Sequence, residues 1–159
     1  MQFATSIFTV LACATAVNAH GHLIKPIAIM HTGAPQGNPD IRIPAQGCGA
    51  GVTISGKAAA TFKAGSSGTT TWSMTNGDGG GPLSVSFDTT GKGTSFKDVA
   101  KITKNLEGVN GGVSNEVPRG PHDIIFTVPK IKCTGCVMQV RQNIQGKDGF
   151  GSCVVVDIV

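Results

Sequence analysis

The chain has no tyrosine, one tryptophan and only 5% aromatic residues. A flat platform of rings for gripping crystalline polysaccharide is therefore poorly supplied. Trp72 alternates with Met74 in a strand-like run, which assigns it to the core. Phe62, Phe87, Phe96, Phe126 and Phe150 are mostly needed inside as well. Charge is sparse too. Thirteen Lys and Arg against nine Asp and Glu give a net charge of +4. The cations are scattered, with no basic run and no interleaved aromatics, so nucleic acid is not an expected partner. The carboxylates show no glycosidase pair. They are also too few around Asn76-Gly77-Asp78-Gly79 for a calcium loop, and a hairpin turn is the expectation there. No Gly-x-Ser-x-Gly elbow is present for a serine hydrolase. No apolar stretch after residue 19 is long enough to span a bilayer or to signal a lipid anchor, so no membrane partner is expected.

What is present starts with a leader. Residues 1–19 are uncharged and mostly apolar, too short to cross a membrane, and end in Val17-Asn18-Ala19. That is the form of a secretory signal peptide, and cleavage after Ala19 leaves a mature domain over 20–159. A secreted, extracellular monomer is expected. The mature part carries four cysteines, Cys48, Cys133, Cys136 and Cys153. An even number in a secreted chain implies two disulfides. Cys133-Thr134-Gly135-Cys136 lacks the second Cys/His pair that a zinc site needs. Three connectivities are open, and the expected pairing is Cys133–Cys136 with Cys48–Cys153.

Helix-periodic stretches are nearly absent. Pro26, Pro35, Pro39 and Pro44 keep the early region a long loop after a short strand near His22–Ile24. Thr69–Thr75, Leu83–Phe87, His122–Val128, Val137–Ile144 and a last run from Phe150 or Ser152 to Val159 read as strands. Phe96–Asn105 is ambiguous between an edge strand and a helical turn. Gly-rich segments at 76–82, 107–121 and 145–149 separate the strands. The expected fold is all-β, a two-layer immunoglobulin-like or fibronectin-like sandwich with long loops.

Four histidines are available, His20, His22, His31 and His122. After cleavage His20 becomes the N-terminal residue, with an α-amine and an imidazole that together chelate a metal. His122 opens a strand directly after Pro118-Arg119-Gly120-Pro121, a strand-end position that suits a third ligand. Amine and imidazole nitrogens in a near-planar array suit copper(II). Both must be deprotonated to bind, so binding weakens as pH falls.

The leader followed by His20-Gly21-His22-Leu23-Ile24-Lys25-Pro26 resembles the mature start of the lytic polysaccharide monooxygenases. The resemblance extends to His122 through Pro129, then Cys133-Thr134-Gly135-Cys136, then Val137-Met138-Gln139-Val140-Arg141, and Phe150 just before Cys153. It implies a copper histidine brace, with His20 and His122 as ligands, Phe150 shielding the axial position and one copper ion as cofactor. Gln139 and Arg141 share a face of their strand and are candidates for support behind the ligands. The implied activity is oxidative, monooxygenase- or peroxygenase-type cleavage of chitin, cellulose or another cell-wall polysaccharide.

A second resemblance covers about residues 62–159. The run Asn76-Gly77-Asp78-Gly79-Gly80-Gly81-Pro82, the Val140-Arg141-Gln142-Asn143 strand and the Phe150-Gly151-Ser152-Cys153 ending are similar to the fungal appressorium-associated virulence-factor family. This resemblance implies the alternative, a non-catalytic secreted protein that binds copper or cell-wall polymer.

Overall fold

Side chains that alternate apolar and polar must bury one face, and here the alternation resolves into ten strands among the described residues. The computed structural model describes residues 21–30, 41–146 and 148–159. The leader 1–19, His20 and His31 lie outside the described residues. In chain order the strands are β1 (Gly21–Lys25), β2 (Ile41–Ile43), β3 (Ala60–Phe62), β4 (Ser67–Met74), β5 (Leu83–Asp88), β6 (Asp98–Val99), β7 (Lys101–Lys104), β8 (Gly120–Thr127), β9 (Cys133–Gln142) and β10 (Gly149–Ile158).

They form two layers. One sheet has the order β1-β4-β8-β7, the other β2-β10-β9-β5-β6. All neighbours on these paths are antiparallel, and β3 adds a short parallel pairing to the C-terminal end of β10. The expected two-layer all-β sandwich is the observed architecture. Between the layers lie Leu23, Trp72, Met74, Val85, Phe87, Ile124, Phe126, Met138, Val140, Val154, Val156 and Ile158, all essentially inaccessible to solvent. Burying each such side chain stabilises the fold by about 1.5–3 kcal/mol relative to leaving it in water. Trp72 sits in this core as the alternation required, and Phe62 meets Phe126 edge-on at 5.7 Å between centroids.

A smaller cluster lies on the outer face of the second sheet. Cys48, Phe96, Val137 and Cys153 are buried there, with Val52 and Ile54 against them. The Cys48–Cys153 disulfide ties the loop after β2 to β10, and Cys133–Cys136 closes the start of β9. Both match the expected pairing.

Two local expectations differ from the structure, and one open alternative is decided by it. The early Pro-rich region contains β2, which pairs with the start of β10. Its three residues are too few to show a period. Phe96–Asn105 holds two short edge strands, β6 and β7, with no helical turn. The 76–82 segment is not a hairpin. Asn76 caps a 3-10 turn over Gly77–Gly79, and the chain then passes from β4 in one sheet to β5 in the other. A hairpin needs the flanking strands side by side, whereas these belong to facing layers.

Candidate functional site

The candidate residues divide between one end of the sandwich and its outer face. At that end β1 begins with Gly21, β4 finishes with Met74 and β8 begins with Gly120, and Met74 pairs with both glycines. One register position inward, Ser73 pairs with His22 and Pro121. At the next, Trp72 pairs with Leu23 and His122. β1 and β8 therefore flank the same strand. The residue after His20 and the strand that carries His122 are separated by β4 alone; that strand starts two residues earlier than expected, at Gly120, so His122 is its third residue.

Gly21 is dictated by this packing. A Cβ there would collide with Trp72 Nε1 and with the Gly79 carbonyl oxygen. The two atoms are themselves joined, since the indole N–H donates to Gly79 O at 2.7 Å. The glycine that follows His20 is thus a packing requirement of the tryptophan as well as part of a motif.

His122 is half-buried at the head of β8, and its Nε2 lies 2.7 Å from Pro118 O. A carbonyl oxygen only accepts, so Nε2 carries the proton and the lone pair lies on Nδ1. Among the described residues, no group of three His, Cys, Asp or Glu side chains converges as a metal centre would require. His20 lies outside them, so the geometry of the full brace is not described.

Phe150 is buried on β10, with the Arg42 guanidinium carbon 4.7 Å from its ring centroid. Arg42 is its cross-strand partner on β2. Such a cation–π contact contributes about 0.5–1 kcal/mol at an exposed position and more when water is excluded. The two residues line a cleft of about 200 Å³ together with Asp78, Asn110, Gly111, Gly112, Gln142 and Ile144. Nothing in the sequence marked Arg42, because its role depends on β2 lying beside β10. Asn110 and Gly111 have φ of 50° and 86° and form the turn of a small loop closed by the Val109–Gly112 bridge. That Asn-Gly pair was the available signal for a tight turn.

Gln139 and Arg141 share a face, as their spacing required, but it is the outer face of the second sheet. Gln139 Nε2 donates to Pro44 O at 3.2 Å and Gly47 O at 2.6 Å. Arg141 Nε donates to Ile43 O at 3.2 Å, and its Nη1 donates to Asn143 Oδ1 at 2.8 Å. Burial pushes the Arg141 guanidinium below its ordinary value, while Asp148 opposes that shift. Both side chains fasten the segment 43–47 to β9, with the sheet standing between them and His122. The inward residue at this end of β9 is Gln142, fully buried and turned toward the 76–81 segment.

The profile of the Egh16-like virulence factor family matches residues 8–149. The chain belongs to this family. No curated protein and no solved structure matches it. The family match supports the second of the two resemblances. The Asn76–Pro82 segment, β9 and seven of the eight residues that line the cleft fall inside the matched region, and Phe150 follows it directly. In this Egh16-like chain Arg42, Phe150, Asp78 and Asn110 line one cleft.

Proposed function

We propose that this Egh16-like chain is a secreted, non-catalytic, virulence-associated protein that binds cell-wall polysaccharide in the cleft beside Phe150. The observation that carries the reading is the composition of that cleft. Arg42, Asp78 and Asn110 line one recess of about 200 Å³. Arg42 donates hydrogen bonds, the Asp78 carboxylate accepts them and the Asn110 amide does both, which is the complement that vicinal hydroxyls need. The face of Phe150 is covered by Arg42. Recognition is therefore by hydrogen bonding at a recess and not by sugar stacking on a ring platform. Trp72, with no exposed surface, supports the same conclusion. The leader and the two disulfides support secretion.

The test is retention on insoluble chitin, cellulose and xylan, with competition by the matching soluble oligosaccharides. Selective retention that Arg42→Ala and Asn110→Ala both weaken is expected. Failure to bind any of the three polymers would remove the reading.

A second reading is favoured by the register of the first sheet. β1 and β8 flank β4, and the His122 Nε2 bond to Pro118 leaves the Nδ1 lone pair for a metal. In this reading His20 and His122 hold one copper ion. Bound copper supplies redox chemistry toward oxygen or peroxide. Copper titration with electron paramagnetic resonance is the check, comparing a native N-terminus with a form carrying one extra residue before His20. Equal affinity of the two forms would exclude the brace. Oxidised oligosaccharides released in the presence of a reductant would move the chain from binding to oxidative cleavage.

A further inference from the structure

Lysines that are scattered along the sequence gather at one end of the fold. Lys63 follows Phe62 and Lys132 precedes Cys133, and both of those residues pair with Ile158 of β10. The two lysines therefore stand on either side of the C-terminal end of β10, on strands about 10 Å apart. Lys130 lies over the turn after β3, its Cγ 3.5 Å from where a Cβ on Gly65 would stand. Lys101 opens β7 opposite Thr127, which leads into the turn that carries Lys130. Lys57 comes just before β3, where the Ala59 amide donates to Val155 O. All five lysines are exposed. Of the chain's thirteen cations and nine acidic side chains, these five and Asp157 stand here, so eight of each remain in the rest of the chain. The formal side-chain excess of +4 is thus carried by one end of the sandwich. The main-chain carboxylate of Val159 offsets one of the five.

Within this end lies a recess of about 390 Å³, lined by Lys57, Thr61, Thr134, Gly135 and Asp157 over the buried Val155. Thr61 and Asp157 are register partners. The Gly135 amide donates to Asp157 Oδ1 at 2.8 Å and so fixes the carboxylate against the wall. We infer that this end of the molecule binds an acidic polysaccharide, a chain of uronate sugars, with one unit in the recess and its neighbours passing along Lys63, Lys130 and Lys132. Each uronate unit carries hydroxyls and a carboxylate, and the recess offers a partner for both. The Thr61 and Thr134 hydroxyls donate and accept, Asp157 Oδ2 accepts from a sugar hydroxyl, and the Lys57 ammonium meets the carboxylate.

The same residues disfavour other polyanions. No aromatic ring lines the recess, so nucleobases have nothing to stack on. All five cations are lysines, which lack the guanidinium fork that grips a phosphate with two bonds. The wall presents threonines where a membrane-seated surface presents large apolar side chains. The surface is also separate from the Phe150 cleft. β10 pairs with β2 at Phe150 and with β3 at its other end, so the two sites lie at opposite ends of one strand. The inference therefore stands independently of binding in that cleft and of the brace.

The test is retention of the disulfide-bonded protein on immobilised polygalacturonate, with the methyl-esterified polymer as the uncharged comparison. Binding to the acid form alone is expected, falling steeply between about 0.05 and 0.5 M salt as the charges are screened. Lys132→Glu should weaken it about tenfold, whereas Lys25→Glu, the same change of charge on the distant strand β1, should alter it less than about twofold. Thr134→Val keeps the charge and removes a hydroxyl, and should weaken binding about fivefold. All three positions are exposed, so the fold tolerates these changes. Arg42→Ala should leave retention unchanged, which separates this surface from the Phe150 cleft. The proposal is overturned by equal binding to the esterified polymer, by equal losses in Lys132→Glu and Lys25→Glu, by full retention in Thr134→Val or by lost retention in Arg42→Ala. It is equally overturned if single-stranded DNA or phosphatidylserine vesicles compete as well as oligogalacturonate at equal charge.

Discussion

Asp88 offers the sharpest stability test. It ends β5 with no exposed surface, yet it is a carboxylate. Oδ1 accepts from the Thr90 amide at 2.8 Å and the Thr90 hydroxyl at 2.6 Å, and Oδ2 accepts from the amides of Thr94 at 2.8 Å and Ser95 at 3.2 Å. These bonds fold the 89–96 loop over the outer cluster, where Gly93 lies against Cys48 and Ile54. Burial pushes the carboxyl up, but the Thr90 hydroxyl and the three amides outweigh it and hold it below its ordinary value. Asp88→Asn keeps the shape and removes the charge. Its oxygen still accepts from one pair of donors, while its NH2 confronts the other pair. Hydrogen bonds to a charged group contribute about 1.5–3 kcal/mol each, and an unpaired buried donor costs about 1–3 kcal/mol. With two of the four bonds retained, a loss of about 3 kcal/mol is expected, a large share of the roughly 5–15 kcal/mol that holds a domain folded. In urea, with a slope near 2 kcal/mol/M, the midpoint falls by about 1.5 M. The pH dependence supplies the control. A depressed native pKa makes the stabilisation complete above about pH 4 and progressively lost as pH falls through the native value. Asp88→Asn should flatten that part of the wild-type curve. A midpoint shift under about 0.3 M, or the same acid dependence in both proteins, would refute the reasoning.

Replacing Cys48 and Cys153 by Ser releases a crosslink between residues 105 apart and should cost about 4–5 kcal/mol by loop-closure entropy. The same change at Cys133 and Cys136, three residues apart, should cost only about 2 kcal/mol, and chemical denaturation under non-reducing conditions compares the two. Gly21→Ala forces a methyl against Trp72 and Gly79 and should destabilise by about 3 kcal/mol, with a red shift of the single tryptophan's emission as the indole loses its partner. Arg42→Ala should weaken oligosaccharide binding about tenfold while leaving the stability measured by urea unfolding within about 1 kcal/mol of wild type, because an exposed cation–π contact contributes little to folding.

Much of this fold is local enough to be written in the chain. The alternation of Leu83, Val85 and Phe87, and of Trp72 with Met74, names buried positions without reference to any partner strand. An even number of cysteines after an apolar leader points to crosslinks, and glycine clusters mark where strands end. Spacing also placed Gln139 and Arg141 on one face. It did not say which face, because a period of two fixes only relative orientation. The packing of the first sheet against Met138 and Val140 turned those two outward and left Gln142 as the inward polar residue. The same limit explains Arg42, whose value comes from a three-residue strand lying beside β10.

The histidines show the division most clearly. Their positions before Gly21 and after Pro121 are legible as motifs. That β1 and β8 both pair with β4 is a matter of topology. The sequence by itself determined an all-β, disulfide-bonded chain with a tryptophan core. Tertiary structure decided that the 76–81 segment crosses between layers, that Gln142 turns toward it, and that Arg42 covers Phe150. Those contacts join residues distant in sequence through main-chain atoms, which every residue carries alike and no sequence pattern distinguishes.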